Sequence, residues 1–236
     1  MRNSIDEIRK QEKAYHDQCY ENLELFAEGS WMHKPVASVL RHFAYFDGKP
    51  EVHVLDLGSG VGRNSIPLAS KLSDRAGSVV CVDLLDSAIT KLTHYAAQYG
   101  VTNTIQPVKS DIGRYRIEPD SFDYIVAVST LEHVDSEEAF DRTLARMVHG
   151  TKNEGINYIL ISTNIREKHM ASKQSLLPMF ELLFDTDSLV HKLQSHYEGW
   201  TVLEQIVKPY ALEIERNGEC VLLESDVLIW AVQKMN

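Results

Sequence analysis

The sequence predicts an α/β domain built on a doubly wound, mostly parallel sheet, and three observations carry this prediction. Between residues 50 and 165, short apolar runs alternate with segments of helical periodicity, a pattern that favours parallel strands joined by helical crossovers. The glycine-rich stretch VLDLGSGVGRNSI begins inside the first of these runs, at residues 54–66. The last two strand-like runs have no helix between them, which favours an antiparallel pair at the end of the chain.

The first 48 residues predict an N-terminal helical cap. Apolar residues recur at helical spacing over residues 3–28, and Gly29 and Ser30 interrupt the pattern. A further helix is expected over residues 34–46, because Pro35 suits a first helical turn and a turn sequence follows at residues 47–50.

Seven strands and five core helices complete the predicted fold. The strands are expected at Val52–Leu57, Ser78–Leu84, Ile105–Val108, Phe122–Ser129, Ile156–Thr163, Val202–Val207 and Val221–Val232. The helices are expected at Arg63–Leu72, Ser87–Tyr99, Glu137–Val148, Leu176–Leu183 (limited by Pro178) and Thr186–Tyr197. A turn near Asn217 and Gly218 is expected to join the last two strands.

These elements predict one domain over residues 1–236 in three parts. Residues 1–48 form the cap, residues 49–165 form a cofactor-binding core, and residues 166–236 form a substrate-side insertion and the final strand pair. Whether the domain is a monomer or a homodimer stays open at this point.

Composition narrows the classes of partner. The chain has 236 residues, of which 44% are hydrophobic, and a formal net charge of −10. A protein with this negative charge repels a phosphate backbone. We therefore expect no nucleic-acid partner. No apolar stretch approaches the length of a membrane span, and the start has no signal-peptide core, so we expect a cytoplasmic protein without a membrane partner. The three cysteines are far apart, and no metal site is expected.

The spacing of the glycines indicates the kind of cofactor. Gly58, Gly60 and Gly62 follow the pattern G-x-G-x-G, which differs from the G-x-G-x-x-G of dinucleotide sites and from the P-loop. Asp56 precedes them, and a carboxylate there would repel a pyrophosphate but attract an ammonium or sulfonium group. S-adenosylmethionine carries both cations and no phosphate.

The stretch DLGSGVG resembles the first motif of class I S-adenosylmethionine-dependent methyltransferases, and later motifs follow in order. Asp83 ends the second strand, 25 residues after Gly58, where the family binds the ribose. Asp111 follows the third strand, where the family places an acid on the adenine amino group. The resemblance implies a Rossmann-like fold, S-adenosylmethionine as cofactor and S-adenosylhomocysteine as product. The cofactor-binding residues that it implies are Asp56, Gly58, Ser59, Gly60, Gly62, Arg63, Asn64, Asp83, Leu84, Asp111, Ile112 and Ser129.

A finer resemblance concerns the methyl acceptor. The residues GRNS at 62–65 and the tail stretch HYEGWTVLE resemble the tellurite-resistance-type and thiopurine-type methyltransferases, which implies a small-molecule acceptor. That group has a His-Arg pair in its tail, whereas Arg216 has no neighbouring histidine here. The alternatives that stay open are a protein or nucleic-acid methyltransferase and a non-catalytic module that binds S-adenosylmethionine.

His133 is the candidate catalytic base. It follows the fourth strand, close to where the methyl group should emerge, and an unperturbed histidine titrates near ~6.5. The alternative is that His133 only shapes the pocket. Tyr15, Tyr20 and Trp31 are candidates for an aromatic lid, and Asp123 is expected to be structural.

Overall fold

The computed structural model describes residues 4–216 and 218–235. Within these residues the α-helices are α1 (Ile5–Asn22), α2 (Ala37–Phe43), α3 (Ser65–Ser70), α4 (Asp86–Gln98), α5 (Glu137–Gly150) and α6 (Thr186–His196). The strands are β1 (Glu51–Leu57), β2 (Ala76–Asp83), β3 (Ile105–Lys109), β4 (Phe122–Val128), β5 (Thr151–His169), β6 (Ser175–Leu176), β7 (Thr201–Arg216) and β8 (Glu219–Gln233).

One mixed sheet runs through the molecule in the order β3-β2-β1-β4-β5-β8-β7, and the two-residue β6 pairs with β5 beside this path. The neighbours from β3 to β5 pair in parallel, whereas β8 runs antiparallel to both β5 and β7. This arrangement confirms the predicted doubly wound, seven-stranded sheet with an antiparallel strand near its end.

The apolar core lies in two layers, one on each face of the sheet. On one face Phe43 of α2 and Leu92 of α4 pack with Tyr124. On the other face Phe140 of α5 and Leu193 of α6 pack with Trp230. Helices therefore cover both faces, as parallel strands require, and the carboxyl ends of these strands are left to form a site.

Helix α1 depends less on apolar burial than the other helices. Ser4 caps its start by accepting a hydrogen bond from the Glu7 backbone, and Ile8 and Tyr20 are its fully buried side chains. Its remaining attachments are largely polar, including a 2.5 Å hydrogen bond from Ser87 Oγ to Asp17. The apolar periodicity of the sequence therefore predicted this helix, but it did not predict which elements the helix packs against.

Strands β5 and β7 are much longer than predicted, and with β8, which is close to its predicted length, they build one side of the molecule. Strand β5 continues to His169, and β7 and β8 pair from Thr201 to Arg216. A third apolar cluster forms on this extension, from Ile165, Phe180, Ile214, Val221 and Leu223. The predicted turn between β7 and β8 includes Asn217, which lies outside the described residues.

The helix predicted over Leu176–Leu183 is wrong. Leu176 belongs to β6, and residues 177–185 run as irregular chain to the start of α6. Pro178 lacks a backbone N–H, and tertiary bonds hold the segment instead, since the Leu182 amide donates to the Glu132 carbonyl. This segment carries Phe180 and Glu181, so its non-helical path matters for the site.

Asp123 fastens the start of β4 to two neighbouring segments, as expected of a structural residue. Its buried carboxylate accepts a 2.7 Å hydrogen bond from the His53 amide and pairs with Lys49 and Lys152. Burial alone would raise the pKa of Asp123, but the His53 amide and the two ammonium groups hold that pKa below its usual value.

We expect Asp123→Asn to lower the free energy of unfolding by about 1–3 kcal/mol at neutral pH, because a charge-assisted clamp is lost. A depressed carboxyl pKa stabilises the fold above the unfolded-state value near ~3.9, and that contribution disappears as the pH falls through the folded-state pKa. Urea unfolding of the parent protein and of Asp123→Asn at pH 7 and at pH 3 measures this difference in the free energy of unfolding.

The matched control is Asp120→Asn, because the Asp120 side chain is 69% exposed. A difference that persists unchanged at pH 3 would contradict the assignment.

Candidate active site

A single cavity of about 560 Å³ lies along the carboxyl ends of β1–β4. The loops after these strands form its floor, α1 lies over it, and the extended parts of β7 and β8 form a further wall. We call the part beside Gly58, Asp83 and Asp111 the loop end, and the part beside Glu132, His133 and Arg216 the tail end.

Each glycine of the loop is required for a different reason. All three have positive φ angles, of 70°, 54° and 97° for Gly58, Gly60 and Gly62. A Cβ atom on Gly58 would lie 2.1 Å from Thr130 Oγ1, and one on Gly62 would lie 2.6 Å from a Leu92 methyl. A Cβ atom on Gly60 would approach the Tyr20 hydroxyl at 3.1 Å. The loop therefore packs tightly against the protein itself as well as against the cavity.

Asp83 joins the ends of β1 and β2. Its Oδ2 accepts a 2.8 Å hydrogen bond from the Gly60 amide, and its Oδ1 accepts one of 2.9 Å from the Leu85 amide. The Gly58 and Ser59 amides both donate to the Val82 carbonyl, at 2.8 and 3.0 Å. Burial raises the pKa of Asp83, although these amide bonds oppose the rise. The carboxylate lines the cavity at the place that the sequence predicts.

Asp56 does not reach the cavity. It is fully buried, and Ser65 Oγ donates a 2.5 Å hydrogen bond to its Oδ2. Burial raises the pKa of Asp56 to about 7, although the hydrogen bond from Ser65 and the charge of Arg63 act to lower that pKa. The side chain of Asp56 points into the core at the end of β1. Its carboxyl group therefore binds the start of α3 beneath the loop and does not line the cavity.

The structure brings most of the other predicted cofactor residues together. Gly62 packs against α4 and, like Asp56, lies outside the lining of the cavity. The residues that do line it are Gly58, Ser59, Gly60, Arg63, Asn64, Asp83, Leu84, Asp111, Ile112 and Ser129.

Two polar atoms at the loop end suit a polar ligand. Among the described residues, Ser59 Oγ and Arg63 Nε are buried without a hydrogen-bond partner. Arg63 donates to the Trp31 carbonyl at 2.9 Å and lies 5.2 Å over the Trp31 ring, which fixes its side chain beside the cavity. Buried polar atoms are normally paired, so these two fit a bound molecule with polar groups of its own.

Arg9 of α1 links the two ends of the cavity, and the sequence did not predict this role. Its Nη2 lies 3.3 Å from Asp111 Oδ2, and its Nε lies 3.5 Å from Glu181 Oε1. The Gly113 amide holds the other oxygen of Asp111 at 2.8 Å. No local sequence pattern identifies Arg9, because its role depends on which elements α1 packs against.

His133 lies at the tail end as a cation. Its Nδ1 is 2.9 Å from Glu181 Oε2, and its ring stacks on Phe180 with centroids 5.1 Å apart. Burial would lower the pKa of His133, but the Glu181 hydrogen bond and the charges of Glu12 and Glu132 raise it to about 9. At pH 7 the imidazole is therefore protonated and cannot take a further proton.

A second charged group at the tail end comes from Arg216 of β7. Its guanidinium lies between Glu12 Oε1 at 3.3 Å and the buried Glu167 Oε1 at 3.0 Å. Burial would raise the pKa of Glu12, but His16, His133 and Arg216 lower it to about 2, so Glu12 stays ionised. Sequence reasoning noted Arg216 only for the missing histidine beside it.

The aromatic residues of the predicted lid reach the cavity. Tyr15, Tyr20 and Trp31 all line it, and His16 packs against each of their rings.

Within residues 4–216 and 218–235, no cluster of three metal-ligating side chains occurs. No helix in the same ranges is long and apolar enough to cross a membrane.

Comparison with known proteins agrees with this geometry. Residues 54–155 match the family model described as a methyltransferase domain. A ubiquinone biosynthesis O-methyltransferase from Rickettsia canadensis is 28% identical over 204 residues, covering 74% of this chain and 80% of its own. A carboxy-S-adenosyl-L-methionine synthase from Shewanella (strain ANA-3) is 24% identical over 168 residues, covering 71% of this chain and 66% of its own.

The fold has relatives among solved structures. TehB from Haemophilus influenzae superposes with a TM-score of 0.61 at 22% identity, over 84% of this chain and 62% of its own. The chain thus spans just under two thirds of the length of TehB and of the Shewanella relative. The family match shows that residues 54–155 carry a methyltransferase domain, and the motif order and the sheet agree with the class I S-adenosylmethionine-dependent form of that domain.

Proposed function

We propose that the protein transfers a methyl group from S-adenosylmethionine to a small-molecule acceptor inside this cavity. The observation that carries the proposal is that one cavity contains both the glycine loop with its two acids and a separate charged, apolar-walled end. Its volume of about 560 Å³ lies within the range of about 300–1,000 Å³ that small-ligand pockets occupy. The ubiquinone-pathway relative, named as an O-methyltransferase, supports a small acceptor.

The loop end provides the groups that would hold the cofactor. We assign Asp83 to the ribose hydroxyls and Asp111 with Ile112 to the adenine, because all three line the loop end of the cavity. Ser59 Oγ and Arg63 Nε, both unpartnered among the described residues, are available to further polar groups. When bound, S-adenosylmethionine supplies a methyl group already activated on a sulfonium.

The remaining work of the protein is to orient the two partners and exclude water. Orientation alone can contribute on the order of 7–11 kcal/mol to such a displacement. Helix α1 lies over both ends and carries Arg9, Glu12 and Tyr20 into the cavity, so we propose that it sets the relative position of cofactor and acceptor. His133, as an imidazolium bonded to Glu181, fits a pocket-shaping role better than that of a base.

The direct test is release of S-adenosylhomocysteine by the purified protein over a panel of acceptors. The panel would contain thiols, amines, phenols, carboxylates and tellurite. Turnover with any small acceptor supports the proposal and gives the acceptor class. Tight binding of S-adenosylmethionine with no turnover would favour a macromolecular acceptor or a non-catalytic module instead.

We expect Gly60→Val to abolish measurable binding of S-adenosylhomocysteine in isothermal titration calorimetry. The added side chain would press on the Tyr20 hydroxyl and require a residue with φ of 54° in the loop. Gly199→Val is the matched control, because Gly199 has a φ of 81° and nothing within 4 Å of a Cβ atom. Unchanged binding by Gly60→Val would remove the loop from the cofactor site.

We expect a titration of His133 followed by NMR to give a pKa of about 9, and we expect Glu181→Gln to lower that pKa. The reason is that Glu181 provides the hydrogen bond that opposes the effect of burial. Glu198→Gln, on the exposed surface, serves as the control. If the pKa of His133 lies near ~6.5 in both the parent and Glu181→Gln, then His133 is free to act as a base.

A further inference from the structure

Glu132 is a buried carboxyl group at the tail end, and one of its oxygens has no hydrogen-bond partner among the described residues. It is 1% exposed and lines the cavity. Its Oε1 accepts a 3.2 Å hydrogen bond from the Ser162 amide, which fixes the side chain. Its Oε2 is buried and, among the described residues, has no hydrogen-bond partner.

The two arginines at the tail end are already paired. Arg9 lies between Asp111 and Glu181, and Arg216 lies between Glu12 and Glu167. The Nε atoms of both arginines lack a hydrogen-bond partner, but each belongs to a guanidinium that two carboxylates already neutralise. Neither buried arginine at the tail end is therefore left uncompensated for an anionic acceptor, and Lys208, which also lines the cavity, is exposed.

The polarity of this end also favours a cation. Glu181 is paired with His133, and its charge together with those of Glu12 and Glu132 holds that partly buried imidazole protonated. Burial raises the pKa of Glu132, so its carboxylate is readier to receive a proton than an ordinary glutamate. The walls beside it are apolar, from Phe180, Leu212, Ile214 and Leu223.

We propose that the methyl acceptor is an amine with an apolar body, and that Glu132 Oε2 binds its ammonium group. This inference rests on the proposed function. The ammonium proton passes to Glu132, which leaves a lone pair on nitrogen. The nitrogen–carbon bond then forms as the carbon–sulfur bond breaks, and the electron pair of that bond stays on sulfur.

The test measures binding rather than turnover, with three probes of similar size that share a phenyl ring. Benzylamine, benzyl alcohol and benzoate are titrated at pH 7 into protein saturated with S-adenosylhomocysteine. We expect benzylamine to bind at least about 10-fold more tightly than benzyl alcohol, and benzoate to bind most weakly, since a buried charge-assisted bond contributes more than a neutral one. Glu132→Gln should remove the preference for the amine without changing the affinity for S-adenosylhomocysteine.

Two further variants keep the test decisive. Glu132→Asp retains a carboxylate and should retain the preference for the amine, even if Glu132→Gln is poorly folded. Glu138→Gln removes an exposed carboxylate on α5 and should behave like the parent protein.

The inference is overturned if benzyl alcohol or benzoate binds as well as benzylamine, if none of the three binds, or if Glu132→Gln keeps the preference for the amine. Failure of the parent protein to bind S-adenosylhomocysteine would instead overturn the proposed function, and with it the amine site.

Discussion

The hydrogen bond from the Gly60 amide to the Asp83 carboxylate is the contact on which the site depends. It ties the loop after β1 to the end of β2 and holds the backbone in a conformation that only glycine adopts readily. The parallel sheet brings these two strand ends to the same edge, so the contact follows from the topology. With the loop fixed, Thr130 and Tyr20 can pack against it and bring the β4 loop and α1 over the same cavity.

The tail end shows how a small cavity can contain many charges. Arg9 and Arg216 are each shared by two carboxylates, so the cost of burying each charge is offset by a partner in fixed geometry. Most of these pairs connect α1 to another element, which makes the helix a structural member of the site although it buries few apolar side chains. The loop end and the tail end of the cavity are thereby linked through Arg9.

Local sequence pattern was enough to predict the sheet, most of its helices and most of the loop end, but not the irregular segment that replaces the helix expected over Leu176–Leu183. The glycines, Asp83 and Asp111 are recognisable because the strand order places them at fixed points of the sheet. Arg9, Glu12 and Glu181 were not predictable, because their roles depend on how α1 and an irregular segment pack in three dimensions. Asp56 shows a second limit of prediction from sequence. Its position beside the glycines suggested a contact with the ligand, but the orientation of β1 directs its side chain into the core.

We propose that the loop end binds the cofactor and that the tail end faces the reactive sulfur of that cofactor. A crystal structure of the protein with S-adenosylhomocysteine would test this arrangement. We expect the ribose on Asp83, the adenine beside Asp111 and Ile112, and the sulfur directed toward Ser129 and His133. A ligand bound outside this cavity, or bound with its sulfur directed away from the tail end, would contradict it.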